Sequence, residues 1–164
     1  MDHPRARCVC FTGHRVLASD QDFLRLRLEL AIADLAEQGF GWFLSGMALG
    51  FDLLAAETVL RLSRRLEIGL VAVLPCPATG YTSAWPQEQR RRLVAVCEEA
   101  GELVLVSPGY HERCMQDRNQ YLVDHSAYVL ACLERDSGGT AQTVHFARQQ
   151  GLQVRNLADS HLLR

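Results

Sequence analysis

Short apolar runs alternate along the chain with longer segments in which apolar residues recur at helical spacing. Six runs have the length of buried strands and lie at 8–12, 42–44, 68–74, 103–106, 128–133 and 153–157. Five helical segments lie at 23–35, 51 to about 65, 87 to about 100, 115–124 and 140–149. This alternation predicts an α/β fold with a mostly parallel central sheet and helices on both faces, formed by a single domain over residues 1–164.

Local signals mark some of the element ends. Ser19 stands three residues before Asp22, a spacing typical of a capping box at the start of the first helix, and Gly39 follows the end of that helix. Residues 75–86 contain three prolines and one glycine and are predicted to form an irregular loop. Long loops of this kind often carry function.

Composition limits the functions that this chain can have. Hydrophobic residues make up 48% and charged residues 22%, which argues against disorder, a fibrous repeat or a coiled coil. All 17 basic residues are arginine, so a P-loop lysine, a Schiff-base lysine and a lysine general base are excluded. The formal net charge of -2 predicts no general attraction to nucleic acid, which is therefore disfavoured as a partner unless a local basic patch exists.

No segment has the pattern of a membrane anchor or of a metal site. Residues 1–15 lack the apolar stretch of a signal peptide, and no apolar run approaches the roughly 20 residues that span a bilayer. We expect a cytoplasmic protein without a membrane partner. The six cysteines form no CxxC pair and are expected to be reduced and mostly buried. His111 and Cys114 have HxxC spacing without a second pair, so we predict no metal and no other cofactor.

Three glycine-containing loops follow predicted strands. In a parallel sheet the ligand lies outside the carboxyl ends of the strands, where loop amides and helix N-termini converge. The first loop, 12–15, offers free amides and the planar guanidinium of Arg15 for a phosphate or carboxylate. The second, 45–52, brackets small residues between Gly46 and Gly50 and ends at Asp52. Its pattern suits a backbone cradle for phosphate or ribose.

The role of Asp52 has two interpretations. Its carboxylate can accept hydrogen bonds from ribose hydroxyls, or it can interact with the dipole at the start of its helix. The third loop, 136–140, places two glycines and Thr140 directly before a helix. This pattern is typical either of an anion nest with a hydroxyl donor beside it or of a purely structural connection between a strand and a helix. These three loops together point to a ligand site at one edge of the sheet.

Further candidates lie outside the glycine loops. Arg118, Asn119 and Asp124 belong to one predicted helix and form either part of the site or a solvated face. Tyr81 and Trp85 lie in the long loop, where they either stack on a base or anchor the loop to the body of the protein. The sequence leaves both pairs of alternatives open.

Five motifs in order along the chain resemble the YpsA-like family of the SLOG superfamily. They are TGHR at 12–15, SGMALGFDLLAAETVLRL at 45–62, the loop with Trp85, RNQYLVDHS at 118–126 and GGTAQTVHFA at 138–147. The resemblance implies a Rossmann-like three-layer sandwich, related to the DprA and LOG proteins, and a site for nucleotides or ADP-ribose-type ligands. The predicted site residues, which combine this resemblance with the loops above, are Thr12, Gly13, His14, Arg15, Ser45, Gly46, Gly50, Asp52, Trp85, Arg118, Asn119, Asp124, Gly138, Gly139 and Thr140.

The chain departs from the family pattern at two positions and from the LOG enzymes at a third. Met47 stands where a second glycine is common, and Ala127 stands where an aspartate is frequent. In the enzymatic LOG proteins a glutamate in the GGxGTxxE segment acts on the N-glycosidic bond of a nucleoside monophosphate, whereas this chain has Thr143 there. A threonine cannot supply the carboxylate that such chemistry uses.

Three functions are therefore in competition. The favoured one is binding or sensing of a nucleotide-derived small molecule. The second is a nucleotide hydrolase or N-glycosidase acting on the same ligand, in which His14, Asp52 or Asp124 would replace the missing glutamate. The least favoured is binding of single-stranded DNA, because of the acidic balance. No surface stripe identifies an interface, so the sequence leaves a homo-oligomer open.

Overall fold

Six parallel strands form one sheet in the computed structural model, which describes residues 2–158. The strands are β1 (Cys8–Gly13), β2 (Trp42–Ser45), β3 (Gly69–Leu74), β4 (Glu102–Leu105), β5 (Tyr128–Cys132) and β6 (Gln153–Asn156). The helices are α1 (Gln21–Glu37), α2 (Phe51–Leu62), α3 (Gln87–Glu99), α4 (Cys114–Asp124) and α5 (Gly138–Gln149). The single domain predicted over residues 1–164 also includes residue 1 and residues 159–164, which lie outside the described residues.

The strand order is β4-β3-β2-β1-β5-β6, with every neighbouring pair parallel. The chain moves outward from β1 to β4 and then returns to the other side of β1, so the order reverses between β1 and β5. Helices α1, α2 and α3 pack side by side on one face, and α4 packs against α5 on the other. The predicted Rossmann-like three-layer α/β sandwich is confirmed. No helix within residues 2–158 combines the length and apolar character needed to cross a bilayer.

The hydrophobic core consists of one cluster on each face of the sheet. Phe11 and Phe43 of the sheet and Phe51 of α2 are fully buried in the cluster on the α1–α3 face, and Val71 and Val129 are buried in the cluster beneath α4 and α5. All six cysteines are free thiols, and five of them are buried. Burial on both faces explains why the central strands read as nearly continuous apolar runs.

The start of α1 differs from the prediction. Asp20 is the N-cap, because its Oδ1 accepts a hydrogen bond from the Phe23 N–H at 2.8 Å. The predicted cap, Ser19, lies one residue earlier, and its buried hydroxyl has no hydrogen-bond partner among the described residues. Helix α2 ends at Leu62 instead of near Arg65, because residues 63–65 form turns.

Candidate functional site

A cavity of about 480 Å³ opens at the carboxyl ends of β1 and β5, where the strand order reverses. Its wall combines the end of β1 and the following loop with the first turns of α2, α4 and α5. The predicted residues that line it are Thr12, Gly13, His14, Arg15, Asp52, Arg118, Asn119, Gly138, Gly139 and Thr140. Folding therefore brings together residues from four segments that are widely separated in the sequence.

Ser45, Gly46 and Gly50 lie behind the cavity wall and support it. The Ser45 hydroxyl is buried and donates to the Asp52 carbonyl oxygen at 2.9 Å, which holds the first turn of α2 against β2. Gly50 has a φ of 77°, and a Cβ there would lie 2.3 Å from the Arg15 carbonyl oxygen. Only glycine permits this conformation and this close approach, which presses the loop before α2 against the loop after β1.

Trp85 and Asp124 are not brought to the cavity. Trp85 makes an edge contact with Tyr81 at 5.6 Å between ring centroids, and both rings pack against the core. The Tyr81 hydroxyl donates to the Met47 carbonyl oxygen at 3.2 Å. The aromatic pair thus anchors the long loop. Asp124 is exposed at the end of α4, where it accepts a hydrogen bond from Gln120 at 2.9 Å.

A buried carboxyl group and a buried guanidinium group lie at the floor of the cavity. The Asp52 side chain is 5% exposed and the Arg118 side chain is 4% exposed. The two flank Gly46, since a Cβ at that glycine would lie 2.8 Å from the Asp52 Oδ2 and 2.8 Å from an Arg118 nitrogen. Arg118 donates to the Gly46 carbonyl oxygen and, through Nε, to the Asn119 Oδ1 at 2.8 Å.

Asp52 retains an unused acceptor. Its Oδ2 accepts a long hydrogen bond of 3.4 Å from the Ala48 N–H, but its Oδ1 has no hydrogen-bond partner among the described residues. Burial raises the pKa of Asp52 to about 6, and the positive charge of Arg118 only partly opposes this rise. Asp52 lines the cavity as a residue. A buried carboxylate with an unpaired acceptor at the edge of a cavity is stabilised when a ligand hydroxyl reaches it and donates to it.

The opposite wall of the cavity is electropositive. Helix α5 begins at Gly138, whose φ of 80° turns the chain into the helix, and its first-turn amides have no partners within the helix. Arg15 and Arg135 are exposed at the rim. A helix N-terminus with two guanidinium groups nearby is an arrangement that binds anions.

His14 is neutral in this setting. Burial lowers its pKa, as does the charge of Arg135, and Nε2 accepts a weak hydrogen bond of 3.4 Å from the Arg135 N–H. The negative charge of Glu134 raises the pKa of His14, but the pKa remains below its usual value. His14 therefore contributes a neutral imidazole, not a cation, to the wall.

Glu134 was missed by the sequence analysis and joins two of the loops. Its buried carboxylate accepts hydrogen bonds from the Ala18 N–H and the Ser19 N–H, both at 2.8 Å. Burial alone would raise its pKa, but the hydrogen bonds from the two amides oppose burial, and the pKa lies below its usual value. The only signal in the sequence was a charged residue directly after an apolar strand.

The departures from the family pattern lie away from the cavity. Met47 has a φ of 55°, which is uncommon for a residue with a side chain and costs about 1 kcal/mol. Its side chain is buried in the core cluster beneath α1, α2 and α3 and does not line the cavity. Ala127 lies before β5, at the end of the strand remote from the cavity, and its N–H donates to the Cys8 carbonyl oxygen at 2.9 Å.

A narrower recess of about 120 Å³, here called the amide groove, adjoins the cavity between α4 and α5. It is lined by Gln116, Asn119, Gln120, Gly139, Gln142, Thr143 and Phe146. Thr143, which stands where LOG enzymes have glutamate, is buried and donates its hydroxyl to the Gly139 carbonyl oxygen at 2.8 Å. Within residues 2–158, no three His, Cys, Asp or Glu side chains are placed to hold a metal ion.

The fold and the cavity define a Rossmann-like α/β protein with a cleft at the point where the strand order reverses. Residues 18–159 match the model of YpsA, the YspA SLOG family. The chain therefore belongs to the YspA SLOG family.

One relative and two solved structures show how far the similarity extends. UPF0398 protein BH1768 of Halalkalibacterium halodurans is 30% identical over 120 residues, which cover 72% of this chain and 63% of that protein. A structure of DNA processing protein A from Helicobacter pylori has a TM-score of 0.62 at 15% identity, covering 90% of this chain and 63% of that one. A structure of DprA from Streptococcus pneumoniae has a TM-score of 0.65 at 18% identity, covering 91% of this chain and 49% of that one. This chain thus spans less than two thirds of each.

These neighbours correct one expectation. Nucleic acid was disfavoured as a partner on the basis of net charge, and this expectation was wrong, because the fold is shared with DNA processing proteins. The H. pylori protein is described as having a single-stranded DNA binding mode. Net charge is an average over the whole surface, whereas phosphate contacts depend on local cations such as Arg15 and Arg135 at the rim.

Proposed function

We propose that this protein binds or senses a nucleotide or nucleotide-derived small molecule in the cavity at the carboxyl ends of β1 and β5. The observation that carries the proposal is Asp52, a residue of the cavity lining whose buried Oδ1 lacks a donor, in a cavity whose opposite wall is electropositive. A nucleotide joins an anionic phosphate to a hydroxyl-bearing sugar. It therefore complements both walls at once.

Each part of such a ligand has a matching group. The amides of the first turn of α5, with Arg15 at the rim, supply donors for a phosphate. Asp52 accepts from a ribose hydroxyl, and Arg118 holds the loop around Gly46 in place through its bond to that carbonyl oxygen. Glu134 fixes the loop that follows Arg15. Arg118 and Glu134 hold these loops through hydrogen bonds to backbone groups of the chain.

A second candidate is binding of a phosphate-bearing end or backbone of single-stranded nucleic acid. It is favoured by the likeness of the fold to the H. pylori protein, which is described as binding single-stranded DNA. The same rim arginines would make the phosphate contacts, so affinity would fall steeply with added salt. Fluorescence anisotropy with a labelled oligonucleotide at two salt concentrations separates this candidate from the first.

The test is a thermal-shift screen against nucleoside mono-, di- and triphosphates, NAD, ADP-ribose and cyclic dinucleotides, followed by calorimetry and a check for free base. A ligand at about 100 times its Kd stabilises the fold by roughly 2.7 kcal/mol, which raises the Tm by about 5 to 10 °C. Arg15→Glu should remove the shift, whereas Arg91→Glu, an exposed change on α3, should not. Equal shifts in both variants would contradict the proposal.

A further inference from the structure

The amide groove differs in chemistry from the cavity that it joins. Its lining residues within the described part of the chain include no ionisable side chain, whereas the cavity contains three arginines, a histidine and an aspartate. In place of charges the groove is lined by carboxamides from both helices and by the partly buried Phe146. Such a surface lacks the cations that attract a phosphate, and it suits an uncharged, planar group with polar edges.

The carboxamides of the groove are available to a ligand. Gln116 and Gln142 are exposed and make no side-chain hydrogen bond with any described residue. Gln120 is engaged only by the exposed Asp124. A carboxamide carries a donor and an acceptor side by side, which matches the edges of nucleobases, and an aromatic ring stacks on any base.

Asn119 connects the groove to the cavity with a defined orientation. An arginine nitrogen can only donate, so the 2.8 Å bond from the Arg118 Nε identifies the Asn119 atom that receives it as the oxygen. The amino group therefore points the other way, and a Cβ at Gly139 would lie 3.9 Å from it. The buried arginine thus sets a donor at the boundary between the two recesses.

The spacing along α5 separates the first turn of the helix from the aromatic ring of the groove. Gly139 lies in the first turn, which borders both recesses, and Phe146 lies seven residues further along. At 1.5 Å per residue the two are about 10 Å apart along the helix axis. The groove volume of about 120 Å³ is of the order of the roughly 150 Å³ cavity that accepts a benzene ring.

We infer that the amide groove holds the planar, uncharged base of the ligand whose phosphate and sugar occupy the cavity. The inference rests on the proposed function and extends it by naming the ring as a second recognised group. The base lies against Phe146, and carboxamides from α4 and α5 meet its edges. The groove selects among ligands that share the same phosphate and sugar.

Calorimetry tests this inference with ligands that differ only in the base. On the wild-type chain, the dissociation constant of ribose 5-phosphate is compared with those of the four common nucleoside 5′-monophosphates. In a second comparison, pyrophosphate is the base-free ligand and the matching nucleoside diphosphates carry the base. At least one base should raise the affinity about tenfold or more over the base-free ligand. Phe146→Ala and Gln120→Ala lie in the groove but not in the cavity, so each should lower that ratio about fivefold while leaving the base-free ligand unaffected.

The controls separate loss of the groove from loss of the fold. Gln149→Ala changes an exposed glutamine on the same helix outside the groove and should preserve the ratio. Because Phe146 also packs against the core, Gln120→Ala keeps the test decisive if Phe146→Ala fails to fold. A ratio of one in the wild type, or a ratio unchanged by both groove variants, overturns the inference. If the wild type binds the base-free ligand and Arg15→Glu does not, the proposed function still stands, even when the inference about the groove fails. If the wild type binds none of these ligands, both are overturned.

Discussion

The cavity and the amide groove lie side by side, yet they differ in how they are built. The cavity is formed by glycine loops, a helix N-terminus and a buried Asp52–Arg118 pair, and its groups are held by backbone contacts. The groove is formed by side chains on the surfaces of two packed helices. Under the proposed function, we expect the charged recess to anchor the ligand and the neutral recess to distinguish between ligands. Affinity and selectivity would then be set by different parts of the site.

The largest expected effect comes from blocking the anion wall. Gly139→Glu places a carboxylate at the start of α5, where only the Asn119 amide approaches the new side chain, so the fold should tolerate it. Negative charge in the phosphate position should weaken nucleotide binding at least 100-fold, as measured by calorimetry. Gly109→Glu, in an exposed loop with open space around it, is the matched control. Retained binding in Gly139→Glu would place the anion elsewhere.

A tenfold effect is expected at Asp52, with a dependence on pH. Its pKa in the unliganded protein is about 6, and a ribose hydroxyl that donates to the carboxylate favours the ionised form. Binding should therefore release a proton near pH 6, and affinity should fall as the pH drops below 6. Asp52→Asn should lower affinity for ribose-containing ligands about tenfold and abolish this proton release. Calorimetry in two buffers of different ionisation enthalpy measures both. The wild type and Asp52→Asn are compared with the same ligand, because any proton released by the ligand's phosphate is common to both.

A smaller effect is expected at Glu134, which touches neither recess. Glu134→Gln keeps one acceptor oxygen but loses the second amide bond between the loops after β1 and β5. Looser placement of Arg15 should weaken binding about threefold to fivefold. The factor should be the same for every ligand. The ratio between base-containing and base-free ligands should be unchanged. A change in that ratio would show that the two recesses are not independent.

The smallest effect is expected from salt on selectivity. Raising the ionic strength should weaken all phosphate-bearing ligands, because the charged cavity is partly exposed at its rim. The affinity ratio between base-containing and base-free ligands should change less than about twofold, because the groove carries no charge. Calorimetry at two salt concentrations provides both values. A ratio that falls in parallel with affinity would contradict an uncharged base site.

The fold and most of the cavity wall could be predicted from the sequence, because both depend on patterns among residues close together in the chain. Strand and helix order follow from apolar periodicity, and the parallel sheet places every loop after a strand at one edge. Glycines in those loops marked 12–15 and 136–140 as cavity segments. Loop 45–52 contributed Asp52 directly, while Ser45 and Gly50 proved to support the wall from behind.

What only the tertiary structure decided are contacts between residues far apart in the chain. Glu134 reaches Ser19 across 115 residues, and Arg118 reaches Gly46 across 72, and no local pattern reports such pairs. The same holds for Trp85, whose packing against Tyr81 leaves it outside the cavity, and for the amide groove, which exists only because α4 lies against α5. Periodicity and turn chemistry act over a few residues and therefore determine elements and their order. Burial, pKa and the pairing of polar groups depend on how those elements pack in three dimensions.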